Sequence, residues 1–85
     1  MDKLTIPGVN NIGEPRQEYA DKLATYTDDQ FVSVAATAIW FSAYASNNPR
    51  SDYHWHADAC YNEAVRRGKP ELYQQAYDSV ERSVG

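Results

Sequence analysis

The run FVSVAATAIWFSAYA, from Phe31 to Ala45, decides the fold of this chain. It lies in a longer stretch, Phe31 to Pro49, that contains no charged residue, although 24% of the sequence is charged. On a helix, where successive side chains turn by about 100°, its large apolar groups point in every direction, which is typical of a helix buried in a bundle or a membrane. A bilayer needs about 20 apolar residues, and this run is shorter and contains hydroxyl side chains. It therefore predicts the central helix of a small bundle.

Local signals mark the ends of this helix and the starts of its neighbours. Thr27 and Gln30 have the spacing of a capping box, in which each side chain bonds the backbone amide of the other residue. Proline cannot continue the helical hydrogen-bond ladder, so the segment Asn47–Pro49 ends the helix. Pro15 and Pro70 suit the first turn of two further helices.

These signals predict an all-α fold, a four-helix bundle in a single domain at residues 14–85, preceded by an extended N-terminal arm at residues 1–13. The predicted helices span about residues 15–26, 28–46, 52–67 and 70–83. Because the turns between them are very short, we expect antiparallel neighbours. The arm is expected to lay apolar residues on the bundle, with a frayed terminus as the alternative.

Composition points to a small acidic protein. The chain of 85 residues has a net charge of −4 and a single cysteine, Cys60. A net negative charge disfavours nucleic acid as a partner, because phosphate binding relies on basic residues. One cysteine cannot form an internal disulfide, and the first residues lack the apolar core of a signal peptide, so we expect a cytoplasmic protein with no membrane association.

One cluster of metal-ligand types occurs, His54, His56, Asp58 and Cys60. On a helix His56 and Cys60 share a face, while His54 and Asp58 point about 160° away, so the four cannot converge on one ion. Were residues 54–56 extended, both imidazoles would face the same way. We treat His56 and Cys60 as weak metal candidates only. No catalytic motif is present, and the sequence predicts a protein that is not an enzyme and has no metal or cofactor.

A first candidate binding surface lies on the third helix. Its stripe consists of Trp55, Ala59, Asn62 and Arg66, with Arg67 beside it, and is predicted to face solvent. A tryptophan next to an arginine is typical of a binding hot spot and could also stack a base. In the alternative, Trp55 folds onto a neighbouring helix or the arm, and the arginines complement the dipole at the C-terminal end of the helix.

A second candidate surface is the most polar side of the central helix. It consists of Ser33, Thr37, Trp40 and Tyr44, spaced at i, i+4, i+7 and i+11. If the other helices cover the remaining sides, this stripe stays open and suits a partner helix or self-association. The alternative is that the N-terminal arm covers it.

The segment DACYNEAVRRGKPELY, Asp58 to Tyr73, resembles small proteins encoded by bacteriophages of actinobacteria. The resemblance covers the C-terminal half of the chain and transfers no site residue. It implies a class of function, since small phage accessory proteins often bind and redirect a host protein.

The sequence thus predicts a non-enzymatic interaction module, a phage accessory protein that binds or inhibits a host protein in the host cytoplasm. The alternative is an oligomeric helical protein that binds a small ligand or nucleotide between stacked aromatic rings. In that alternative, Arg66 and Arg67 would hold a phosphate.

Overall fold

A computed structural model describes residues 4–84 and confirms the all-α four-helix bundle. Its helices are α1 (Gln17–Ala24), α2 (Asp28–Tyr44), α3 (Asp52–Arg66) and α4 (Glu71–Val84). Every predicted helix end lies within two residues of the observed one. Within residues 4–84, no helix combines the length and the apolar character that crossing a membrane requires.

The capping box at the start of α2 is present as predicted. The Thr27 hydroxyl accepts a hydrogen bond from the backbone amide of Gln30 at 3.2 Å. The side-chain oxygen of Gln30 accepts one from the backbone amide of Thr27 at 3.0 Å. The helix ends at Tyr44, and a turn follows in which the Asn48 amide bonds the Ala45 carbonyl at 2.9 Å. The helix therefore stops slightly before the predicted segment Asn47–Pro49.

Helices α2 and α3 are antiparallel neighbours, as predicted. The Ser42 hydroxyl near the end of α2 lies 2.7 Å from a ring nitrogen of His54 near the start of α3. At the other end, Arg67 after α3 binds Asp28 at the start of α2 at 2.8 Å. Gly68 then reverses the chain with a φ of +71°, a conformation that glycine adopts without strain.

Helix α4 packs mainly on α2 and runs in the same direction. Lys69, just before α4, binds Asp28 at the start of α2 at 2.6 Å. Ser83, near the end of α4, lines a groove together with Trp40 in the second half of α2. Helix α2 is thus the central helix, with α3 and α4 on either side.

The core is small and rich in alanine. Its largest fully buried side chains are Phe31, Leu23, Glu63 and Cys60. The buried alanines are Ala20, Ala35, Ala38, Ala57, Ala59, Ala64 and Ala76. Alanines let helices approach closely, and the Cα atoms extend over only 34 × 31 × 15 Å. Two layers of helices, with axes about 8 to 10 Å apart and a Cα radius of about 2.3 Å, already take up roughly 13 to 15 Å, so α2 is not enclosed on every side.

The N-terminal arm binds the starts of α1 and α3. The Gln17 side chain accepts from the Ile6 amide and donates to the Leu4 carbonyl, both at 2.8 Å. The backbone amide of Asn11 donates to the Asp52 carboxylate at 3.1 Å. Ile6 also packs against the core, in agreement with the expectation that the arm lays apolar residues on the bundle. Residues 1–3 of the predicted arm lie outside the described residues.

Candidate functional site

The side of α2 that carries Ser33, Thr37, Trp40 and Tyr44, here called the α2 outer face, is open to solvent. Trp40 is 39% exposed and Tyr44 79% exposed, and Ser33 and Thr37 are exposed as well. The Thr37 hydroxyl donates to the Ser33 carbonyl at 3.1 Å, which satisfies it within the helix. The described contacts of the arm go to α1 and α3, so the structure favours the open surface over the covered one.

A groove of about 210 Å³ between α2 and α4 borders this face. Its lining residues are Ala36, Thr37, Trp40, Phe41, Ser79, Val80 and Ser83, and none of them is charged. Phe41 is 39% exposed and stacks on Tyr53, with ring centroids 4.8 Å apart. Sequence reasoning missed Phe41 and the α4 wall, because the groove depends on where α4 packs.

Trp55 packs onto α1 instead of lying on a free stripe. Its indole nitrogen donates to Asp52 at 2.9 Å, and its ring meets Tyr19 edge-on at 5.4 Å. The Arg16 guanidinium lies over the indole, 5.0 Å from the ring centroid. Ala59, expected on the same solvent-facing stripe, is only 2% exposed. The prediction of that stripe is wrong at Ala59, and the alternative that Trp55 folds onto a neighbouring helix is what the structure shows.

Arg66 and Arg67 both bind a carboxylate that is fully buried, that of Glu63. Arg66 makes two contacts with it, at 2.8 and 2.7 Å, and Arg67 one at 2.7 Å. Burial acts to raise the pKa of Glu63, but the hydrogen bonds and charges of the two arginines outweigh it, and the pKa lies below its usual value. The spacing of three and four residues signals this ion pairing in the sequence, although it does not reveal the burial. Asn62, the remaining residue predicted on this helix, is exposed.

Arg67 also links the ends of three helices. One of its terminal nitrogens binds Asp28 at 2.8 Å, and the other donates to the carbonyls of Leu23 and Tyr26, both at 2.9 Å. The side chain is only 11% exposed. Hydrogen bonds from Lys69 and Arg67 lower the pKa of Asp28. Arg67 is therefore engaged inside the protein, which argues against a role in partner binding.

His56 and Cys60, the weak metal candidates, both face Tyr19. The His56 ring stacks on the Tyr19 ring, with centroids 4.0 Å apart and planes 6° apart. The Tyr19 hydroxyl lies 3.6 Å from the Cys60 sulfur. Burial raises the pKa of the Cys60 thiol to about 11, so it stays protonated and unreactive at neutral pH. Within residues 4–84, no three side chains of His, Cys, Asp or Glu are grouped to hold a metal ion.

His54 connects α3 to the end of α2. One ring nitrogen lies 2.9 Å from the Asn48 carbonyl, and the other lies 2.7 Å from the Ser42 hydroxyl. A carbonyl only accepts, so the nitrogen facing Asn48 donates, and in a neutral ring the other accepts from Ser42. Since residues 54–56 are helical, His54 and His56 do not face the same way, and His54 is a structural link.

Comparison with protein-family models, curated proteins and solved structures finds no match for this chain. The α2 outer face and the adjoining groove offer aromatic rings, small apolar groups and hydroxyls. They contain no carboxylate, imidazole, amine or thiol. Such a surface can bind by apolar contact and hydrogen bonding, which is the chemistry of a protein interface.

Proposed function

We propose that this chain is a protein-interaction module, without catalytic activity, that binds a protein partner through the α2 outer face and the groove beside it. The exposure of Trp40 and Tyr44 on an uncharged helix face carries this proposal. Interface cores are depleted in charged residues and enriched in aromatic ones, and tryptophan and tyrosine are frequent hot spots. Trp55 supports the proposal less well, because Arg16 and Tyr19 already cover parts of its ring.

The resemblance of residues 58–73 to phage proteins extends this proposal to the target. A phage accessory protein would bind a host protein and inhibit or redirect it. The α2 outer face would then meet an apolar, uncharged patch on that protein. The acidic surface elsewhere would contribute little to contact at this face.

Nucleotide binding has less support. Arg66 and Arg67 bind Glu63 and Asp28 with distances of 2.7 to 2.8 Å. To hold a phosphate they would have to give up these ion pairs and leave the Glu63 carboxylate buried without a partner, which is costly. The aromatic face of α2 lies on a different helix from this pair.

Capture from a lysate of the actinobacterial host tests the proposal. Immobilised wild-type chain should retain a host protein, and Trp40→Ala and Tyr44→Ala should each lose it. Ile12→Ala is the matched control, because Ile12 is 78% exposed and Tyr44 is 79% exposed. Circular dichroism melts should show that all variants remain folded.

Retention that is unchanged in both α2 variants would show that the α2 outer face is not the binding surface. If Trp55→Ala or Arg66→Ala abolished retention instead, while its melting curve showed that it remains folded, the surface would lie on α3. Either result would change the location assigned to the binding surface and would not change the description of the fold.

A further inference from the structure

We infer that the partner of the α2 outer face in the free protein is a second copy of the same chain, in an antiparallel pair related by a two-fold axis. This inference rests on the proposed function, since it concerns the same surface. The second copy would cover the α2 outer face as long as no other protein is bound there.

The exposed aromatic rings of Trp40 and Tyr44 on the open side of α2 favour such a cover. The buried side chains Phe31, Ala35, Ala38 and Ile39 face the core, and α3 and α4 flank the helix. The Cα atoms span only 15 Å in the shortest direction, which is room for about two layers of helices, so one side of the helix stays open. A second copy placed on that side would cover Trp40 and Tyr44, the two large aromatic side chains that this face leaves exposed.

Charge also favours a second copy over a strongly charged partner. Each chain carries a net charge of −4, so two copies repel unless they meet through surfaces without charge. The residues from 31 to 49 contain no charge, and the groove lining contains none. A basic partner would gain more from the acidic surfaces elsewhere on the chain than from this face.

The shape of the face is self-complementary. Tyr44 is the more exposed of its two aromatic side chains, and Thr37, which lines the groove, lies seven residues earlier, or roughly 10 Å along the helix. A two-fold axis between Trp40 and Phe41 would place Tyr44 of each chain against Thr37 of the other. The contact is then isologous, with the same pair of residues meeting twice. The small side chain of Thr37 leaves room beside it for the Tyr44 ring of the other chain.

The exposed area of the aromatic side chains limits how tightly two copies can bind each other. Trp40, Phe41 and Tyr44 are 39%, 39% and 79% exposed. With about 200 Å² for each aromatic side chain, they offer on the order of 300 Å² per chain. A standard interface buries about 800 Å² per partner, so these three side chains supply less than half of one, and the groove walls would have to supply part of the rest. We therefore expect a weak dimer that dissociates on dilution, with a Kd between about 1 μM and 1 mM.

Disulfide cross-linking tests the register. The native Cys60 is fully buried, so a cysteine placed on the surface is the reactive thiol of each variant. Thr37→Cys and Tyr44→Cys chains are mixed in equal amounts and oxidised mildly. Because one Tyr44–Thr37 contact survives in this mixed pair, the heterodimer should form several-fold more than in a mixture of Thr37→Cys with Val65→Cys. Val65 lies on α3 and is 50% exposed, which makes it a suitable control.

Sedimentation equilibrium of the wild type measures the assembly directly. The mass should rise with concentration from 9.6 kDa towards twice that value, and Trp40→Ala should stay at 9.6 kDa. A monomer at all concentrations, together with cross-linking no greater than in the Val65→Cys mixture, would overturn the inference. So would a dimer that cross-links through Val65→Cys or pairs each position with itself. The proposed function would survive such a result if a host protein were still captured through Trp40 and Tyr44.

Discussion

Glu63 shows how a single residue can determine the packing of a helix end. Its carboxylate is fully buried, a location that is costly for a charge unless it is paired and hydrogen-bonded. Arg66 and Arg67 supply three short contacts to it. The two arginines differ in what else they do, because Arg67 is nearly buried and reaches α1 and α2, whereas Arg66 is 26% exposed.

Lysine substitutions should separate the two arginines. Arg67→Lys keeps the positive charge but replaces the planar guanidinium with a single ammonium group. An ammonium cannot bind Glu63, Asp28 and two backbone carbonyls at once in the same geometry. We expect it to lower the free energy of unfolding by about 2 to 3 kcal/mol, since several buried groups lose a partner. Arg66→Lys should cost less than about 1 kcal/mol because that pair is partly screened by solvent. Urea denaturation measures both, and equal losses would show that the wider network of Arg67 adds no stability.

At the scale of the element, the capping box makes a prediction about α2. Thr27→Ala removes the side-chain acceptor of the Gln30 amide and should lower the free energy of unfolding by about 1 kcal/mol. Thr25→Ala is the control, because the Thr25 hydroxyl is exposed and bonds the Lys22 carbonyl without capping a helix start. It should change stability by less than about 0.5 kcal/mol. Urea denaturation midpoints compare the two, and similar losses would argue against a capping role for Thr27.

The helix ends could be predicted because their signals are local. A capping box, the proline at position 49 and the glycine at position 68 act within a few residues of the chain. The buried face of α3 could not be predicted in the same way, because it depends on neighbouring helices. Ala59 is buried and Trp55 is held by Arg16 and Tyr19, although both were expected on an outer stripe.

The open side of α2 was predictable for a different reason. In a helix that is apolar all round, the side with the most hydroxyl groups is the one that tolerates water best, and here it is the side of Ser33 and Thr37. The groove beside it was not predictable, since it forms only where Val80 and its neighbours on α4 meet α2. Periodicity in one helix therefore located the candidate surface, but its shape came from the whole molecule.

At the scale of the whole molecule, the free energy of unfolding compares the folded protein with the unfolded chain. It should change with pH in two separate ranges, here called the first and second windows. Burial lowers the pKa of His56, with Arg16 adding to this and Asp52 opposing it. The unfolded imidazole, with a pKa of about 6.5, then takes up its proton first as pH falls. The unfolded state then binds more protons than the folded state, so the free energy of unfolding should decrease as pH falls through 6.5.

The second window belongs to the carboxylates. The pKa values of Glu63 and Asp28 lie below normal in the folded state, so their contribution to stability is complete above pH of about 4.5 and is lost as pH falls further. His56→Phe keeps a ring stacked on Tyr19 without a titrating group and should remove the first window only. Glu63→Gln should reduce the second and leave the first. Urea denaturation from pH 8 to pH 3 measures both, and a first window that persists in His56→Phe would assign that proton uptake to another group.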